Sequence, residues 1–194
     1  QAPTLAPPAD GDAIQVLGDS YWPLRLAREL DDAILQLRTN ENEIGTWLFR
    51  TSGDSDLAVA HDATLAAHKE HWLVREITLY LRRTLKRIDV TSRSIFALIE
   101  PASCFTGILL ELALAADRSY MLDGQFEGDN RPEATITLTT MNFGPFEMVN
   151  GLTRLQSRFL DDPSQVDALA DRQGEAMDAL TAEDAGLVTF APDD

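Results

Sequence analysis

Residues 94–117, SIFALIEPASCFTGILLELALAAD, constrain this chain more than any other stretch. Residues 94–99 are a short apolar run stopped by Pro101, which predicts a buried strand. Residues 107–116 follow as an almost wholly apolar helix with one acid, Glu111. A helix that is apolar on every side has no face for water and has to be packed inside. Its first turn offers free N–H groups and the positive end of the helix dipole, which suit an oxyanion or a carbonyl. Glu111 lies about one turn into that helix, among Leu109, Leu110, Leu112 and Leu114. Desolvation there raises the pKa of a carboxyl group. Glu111 therefore reads either as a general acid or base, or as a buried glutamate tied to an amide or an arginine.

Helices and strands alternate around this segment. Residues 1–12 carry three prolines and read as a linker. Ordered structure is predicted from near Ser20, so residues 1–19 are a linker or arm and residues 20–194 a domain. Pro23 suits a first helical turn, and Ala27, Leu30, Ile34 and Leu37 follow at helical steps. Residues 44–51 predict a strand. Asp62 predicts the N-cap of a long helix that runs to about Arg87. Strands are expected at 118–122, 134–138 and 186–190, with helices at 152–160 and 166–180. This order is that of an α/β fold with parallel pairing.

With 194 residues there is room for one domain, or for a domain and a short arm. Asp and Glu number 32 against 16 Lys and Arg, a formal charge of -16, which argues against a nucleic-acid partner. The single cysteine, Cys104, excludes an internal disulfide framework and a multi-cysteine metal site. No apolar run is long enough for a membrane span and no signal peptide opens the chain, so a cytoplasmic protein without membrane contact is expected. The opening on Gln1 suggests a piece of a longer polypeptide.

Smaller candidates follow. His68 and His71 with Glu70 are either a partial metal site or surface polar residues. Cys104 reads as a packed thiol rather than a reactive one. Arg75, Arg82, Arg83, Lys86 and Arg87 would meet a ligand phosphate or an acidic partner, or form a solvated face paired with Glu76 and Asp89. Trp22, Trp47, Trp72 and Phe96 are expected in the core.

A family resemblance rests on motifs in order. Gly107 followed by Glu111-Leu112-Ala113 and, four residues on, Asp117 resembles the second signature of the crotonase (enoyl-CoA hydratase/isomerase) superfamily. Ala58-Val59-Ala60-His61-Asp62 after a strand resembles the first signature. Residues 138–154, ending in Gly151-Leu152-Thr153-Arg154, resemble the third, and Gly186-Leu187-Val188 the closing strand. The runs SYWPLRLARELDDAILQLRTNE, HKEHWLVREITLYLRRTLKRIDV and MNFGPFEMVNG are similar to the C-terminal crotonase-like half of ring-opening lyases that act on a dearomatised, epoxidised benzoyl-CoA.

The resemblance implies an α/β, crotonase-like stacked ββα spiral, incomplete at both ends. It implies an acyl-CoA thioester substrate, no cofactor apart from the CoA the substrate carries, a partner crotonase domain in the same polypeptide, and a homo-oligomer. It places the oxyanion-hole N–H groups at His61 and Ile108 and an acid/base at Glu111. Ala60 and His61 stand where the family has a glycine and a small residue, and Thr140 where it has a second glutamate. Four readings follow: this half lines an active site, it is a degenerate domain that docks onto and stabilises a catalytic half, it is a plain acyl-CoA-binding module, or it is a generic enoyl-CoA hydratase/isomerase.

Overall fold

A computed structural model describes residues 1–126, 128 and 130–193. The chain opens with an arm and a short helix α1 (Gly11–Leu17), capped by Asp10, whose carboxylate accepts the Ala13 N–H at 2.8 Å. The stretch read as linker is thus partly helical, and Ile14 is wholly buried. Helix α2 (Trp22–Thr39) starts on Pro23 and buries Ala27, Asp31 and Ile34. It packs on α4 (Trp72–Asp89), which buries Val74, Ile77, Leu81, Leu85 and Ile88 at three- and four-residue steps. Each such side chain contributes on the order of 1.5–3 kcal/mol by leaving water.

Strand β1 (Thr46–Phe49) precedes α3 (Ser55–Ala67). The long helix expected from Asp62 is two helices, α3 and α4. Asp54, not Asp62, is the N-cap: its side chain accepts from Asp56 N at 2.8 Å and Leu57 N at 3.1 Å. Asp54 precedes the first turn, whereas Asp62 lies in mid-helix and is buried. The chain turns between the helices at His68–His71 and restarts at Trp72, which is exposed rather than in the core.

Strand β2 (Ser94–Ile99) pairs in parallel with β1 and with β4 (Arg118–Met121), giving the order β1-β2-β4. Between β2 and β4 lie β3 (Phe105–Thr106), a 3-10 turn (Gly107–Leu109) and α5 (Leu110–Leu114), every residue of which is buried. A second sheet pairs β3 in parallel with β5 (Ile136–Thr137), and β5 antiparallel with β6 (Ala176–Met177). Helices α6 (Arg154–Arg158), α7 (Ser164–Ala170) and α8 (Ala179–Asp184) complete the order. Beta-strand β6 interrupts the helix expected over 166–180. The closing strand is reduced to one parallel bridge, Tyr120 to Phe190.

Candidate functional site

The apolar segment delivers Glu111 to the interior, where the sequence left two roles open. Glu111 is 2% exposed. Arg154 donates to its Oε2 at 2.7 Å and Asn142 donates to its Oε1 at 2.7 Å. Arg154 also grips Asp89 through Nε at 3.1 Å and Nη2 at 2.8 Å, and reaches the Phe146 carbonyl at 3.3 Å. Arg154 sits at the start of α6 because Thr153 and Gln156 cap that helix reciprocally: Gln156 N donates to Thr153 Oγ1 and Thr153 N to Gln156 Oε1. Burial pushes the Glu111 pKa up, while Arg154 and Asn142 pull it back; burial prevails, and the same holds for Asp89 beside Arg154. Both Glu111 oxygens are engaged by protein groups, the arrangement of a buried ion pair.

Ile108 lies in the turn before α5. Its N–H donates at 3.1 Å to Asp62 Oδ2, which also accepts the Thr139 hydroxyl at 2.7 Å. The protein's own carboxylate thus sits where the resemblance implies a thioester oxygen. Gly107 makes this approach feasible, since its φ is +52° and a Cβ there would run into Asp62 Oδ2. Burial pushes the Asp62 carboxyl up to about 7, against the pull of Thr139 and Ile108. Its other oxygen, Oδ1, has no hydrogen-bond partner among the described residues.

His61 is the seventh residue of α3, where a main-chain N–H belongs to the helix ladder. Its N–H and that of Ile108 therefore serve separate acceptors. The His61 ring is buried, stands 5.6 Å from the Tyr21 ring and 5.4 Å from that of Trp22, and Nε2 lies 3.0 Å from the Leu5 carbonyl. Desolvation pushes the His61 pKa down. The arm continues the closure. Ala2 N donates to Ser52 O at 2.8 Å, Trp22 Nε1 donates to Gln1 O at 3.0 Å, and Ala2 and Pro3 are buried against the loop linking β1 to α3. Among the described residues, surface cavities of 290 to 560 Å³ are lined by side chains other than His61, Asp62, Ile108 and Glu111.

One hydrogen-bonded chain therefore runs from Ile108 and Asp62 through Thr139, Asn142 and Glu111 to Arg154 and Asp89. Thr139 N donates to Asn142 Oδ1 at 2.9 Å, and Asn142 Nδ2 also reaches Gly107 O at 2.9 Å. The sequence reading placed Asp62 at a helix cap and in the first signature, and gave Thr139 and Asn142 no role. Arg154 had a signal: an acid in an all-apolar helix needs a counter-ion, and the Gly-Leu-x-Arg match carries an arginine.

The other candidates lie apart. Thr140 is exposed in a 3-10 turn. His68 and His71 flank the break between α3 and α4, with His71 Nε2 3.6 Å from Asp12. Among the described residues, no three His, Cys, Asp or Glu side chains gather as metal ligands. Cys104 is buried, its amide donates to Thr51 Oγ1 at 3.0 Å, and burial pushes its thiol pKa up. The basic face of α4 pairs with Glu76 through Arg75, with Glu147 through Arg82 and with Asp31 through Arg87, while Asp89 is taken by Arg154. Among the described residues no helix is long and apolar enough to cross a membrane.

Comparison with solved structures decides the fold. The enoyl-CoA hydratase from Bacillus anthracis superposes with a TM-score of 0.60 at 20% identity, over 88% of this chain and 60% of that one. An enoyl-CoA hydratase/carnithine racemase from Magnetospirillum magneticum gives 0.59 at 18% identity, over 89% and 59%. The chain has the crotonase fold. The chain is also 50% identical, over all 194 residues, to benzoyl-CoA-dihydrodiol lyase of Aromatoleum evansii. It spans 34% of that relative's length. No family model matches the chain.

Proposed function

We propose that this chain is the crotonase-like portion of a benzoyl-CoA-dihydrodiol lyase, a CoA-thioester ring-opening enzyme, and that within it this segment is a docking and stabilising domain. The identity of 50% along the whole chain supports the parent activity. The observation that carries the local role is the Asp62 carboxylate on the Ile108 N–H. An oxyanion hole works by leaving its donors free for charge that develops on the substrate, and a donor already bound to a resident carboxylate would first have to lose it. The engaged Glu111 supports the same reading, because a general base needs a free oxygen within reach of the substrate proton. The catalytic partner would be a second crotonase domain of the same polypeptide. We extend the proposal to a cytoplasmic homo-oligomer, to be checked by fractionation and sedimentation, and to chemistry in which CoA enters only with the substrate.

The test is calorimetry of benzoyl-CoA with this chain alone, beside turnover of the full-length enzyme carrying Glu111→Gln. The expected result is no saturable heat and turnover within about tenfold of wild type. Saturable binding lost in a variant at Ile108 or Asp62, or a far larger loss of turnover in a folded Glu111→Gln enzyme, would assign the chemistry to this segment instead.

A further inference from the structure

We propose that the cavity between α6 and the start of β4 is a carboxylate-binding site, with Arg118 and Arg158 as its donors. This cavity of about 430 Å³ is lined by Arg118, Arg154, Ser157, Arg158, Asp89 and Asp117, with Thr189 and apolar atoms completing the wall. Arg154 is already paired with both Asp89 and Glu111. Arg118 and Arg158 differ from it. Neither has a carboxylate within ion-pair distance among the described residues, in a chain with 32 acids against 16 bases.

Among the described residues the half-buried Arg158 donates through Nη1 alone, to the carbonyls of Gly186 at 3.0 Å and Leu187 at 3.3 Å. Those two bonds cap the chain after α8 and hold the guanidinium in place, leaving Nε and Nη2 as donors. Among the described residues Arg118 donates only to the carbonyl of its neighbour Asp117, at 2.6 Å. A buried guanidinium is ordinarily paired, because taking it from water without a counter-ion costs several kcal/mol. Burial accordingly pushes the Arg158 pKa down.

The charge of the cavity sets the ligand class. Arg118 and Arg158 are the cations without a carboxylate partner, and they line the cavity together with Asp117, whose Oδ2 accepts the Ile95 N–H at 2.8 Å. The side chains lining the cavity carry three positive charges, Arg118, Arg154 and Arg158, against the two negative charges of Asp89 and Asp117, an excess of one, so a monoanion fits better than a phosphate dianion. A carboxylate also matches the two-pronged geometry of a guanidinium. Two sources supply that chemistry: a small free acid, or an Asp or Glu side chain of a protein segment seated in the cavity.

The test follows the Nε–Hε signals of Arg118 and Arg158 by NMR as sodium acetate replaces sodium chloride at constant ionic strength. The expected result is that both signals move together and saturate with one Kd, and that inorganic phosphate binds no more tightly than acetate. Arg118→Gln, at an exposed position, is expected to weaken acetate about tenfold without affecting folding. Arg158→Lys keeps the charge but not the fork, and is expected to weaken it similarly. A capped tripeptide with a central glutamate distinguishes the sources. Tighter binding than acetate points to a protein side chain, and binding no tighter points to a free small acid. Signals that respond equally to chloride, that fail to saturate, that favour phosphate, or that are untouched by Arg118→Gln would overturn the proposal.

Discussion

Replacing Arg154 with methionine tests the network at its most buried point. The side chains of Arg154, Glu111 and Asp89 are 2%, 2% and 5% exposed, so the change strands two carboxylates with little access to water. Breaking a buried ion pair by removing one partner costs about 3–5 kcal/mol. A chain of this size loses stability in urea at roughly 2 kcal/mol per molar, so the unfolding midpoint is expected to fall by about 2 M at neutral pH. The pH dependence supplies an internal check. Without Arg154 the folded pKa values of Glu111 and Asp89 rise further above their unfolded values. A carboxyl raised in this way favours the folded state below its unfolded pKa and loses that contribution as pH rises through the folded one. The variant's deficit is therefore expected to narrow as pH is lowered from neutral toward 5. Adding Glu111→Gln is expected to recover part of the loss, because one stranded charge is gone. A midpoint within about 0.5 M of wild type at neutral pH, or a deficit that widens on acidification, would refute the reasoning.

Three further outcomes follow. The Asp62 carboxyl is held at about 7, above its ordinary value of 3.8, so wild-type stability should fall as pH rises through 7. Asp62→Asn keeps an acceptor for Ile108 and Thr139 and should flatten that fall, as denaturant titrations at several pH values would show. Gly107→Ala forces a Cβ toward Asp62 Oδ2 at a φ of +52° and should cost several kcal/mol or prevent folding, read from the thermal midpoint. Gly53→Ala would place a Cβ 2.6 Å from Ala2 Cβ at a φ of +127°. The arm should then be released and cut faster in limited proteolysis, while the midpoint changes less than for Gly107→Ala.

The architecture was legible where periodicity and burial agree. The buried strand at Ser94–Ile99, the apolar turn and helix after it, and the amphipathic helices α2 and α4 follow from side-chain spacing alone. The start of α3 did not, because Asp54 and Asp62 are both acceptable caps in sequence and only tertiary contacts separate them. Asp62 was claimed by Thr139, 77 residues away, and by Ile108, 46 residues away. The same limit applies to α7 and β6: Gly174 has a φ of +81° and its N–H reaches Leu138 O, so the chain turns back to the sheet where a local pattern continues a helix. At the candidate site, the burial of Glu111 was readable from its leucines. Its partners were not, since Asn142 and Arg154 lie 31 and 43 residues away and carry no local mark of their destination.

The bond between Asp62 and Ile108 also bears on how such a domain can change over evolutionary time. Trading Asp62 for a small residue would vacate the donor, but it would also leave the Ile108 amide and the Thr139 hydroxyl without an acceptor until a ligand arrived. Each orphaned donor is destabilising by about 1–3 kcal/mol, a large share of the margin that separates a folded domain from an unfolded one. Freeing the Ile108 donor by substitution at Asp62 therefore loses stability before any ligand can repay it.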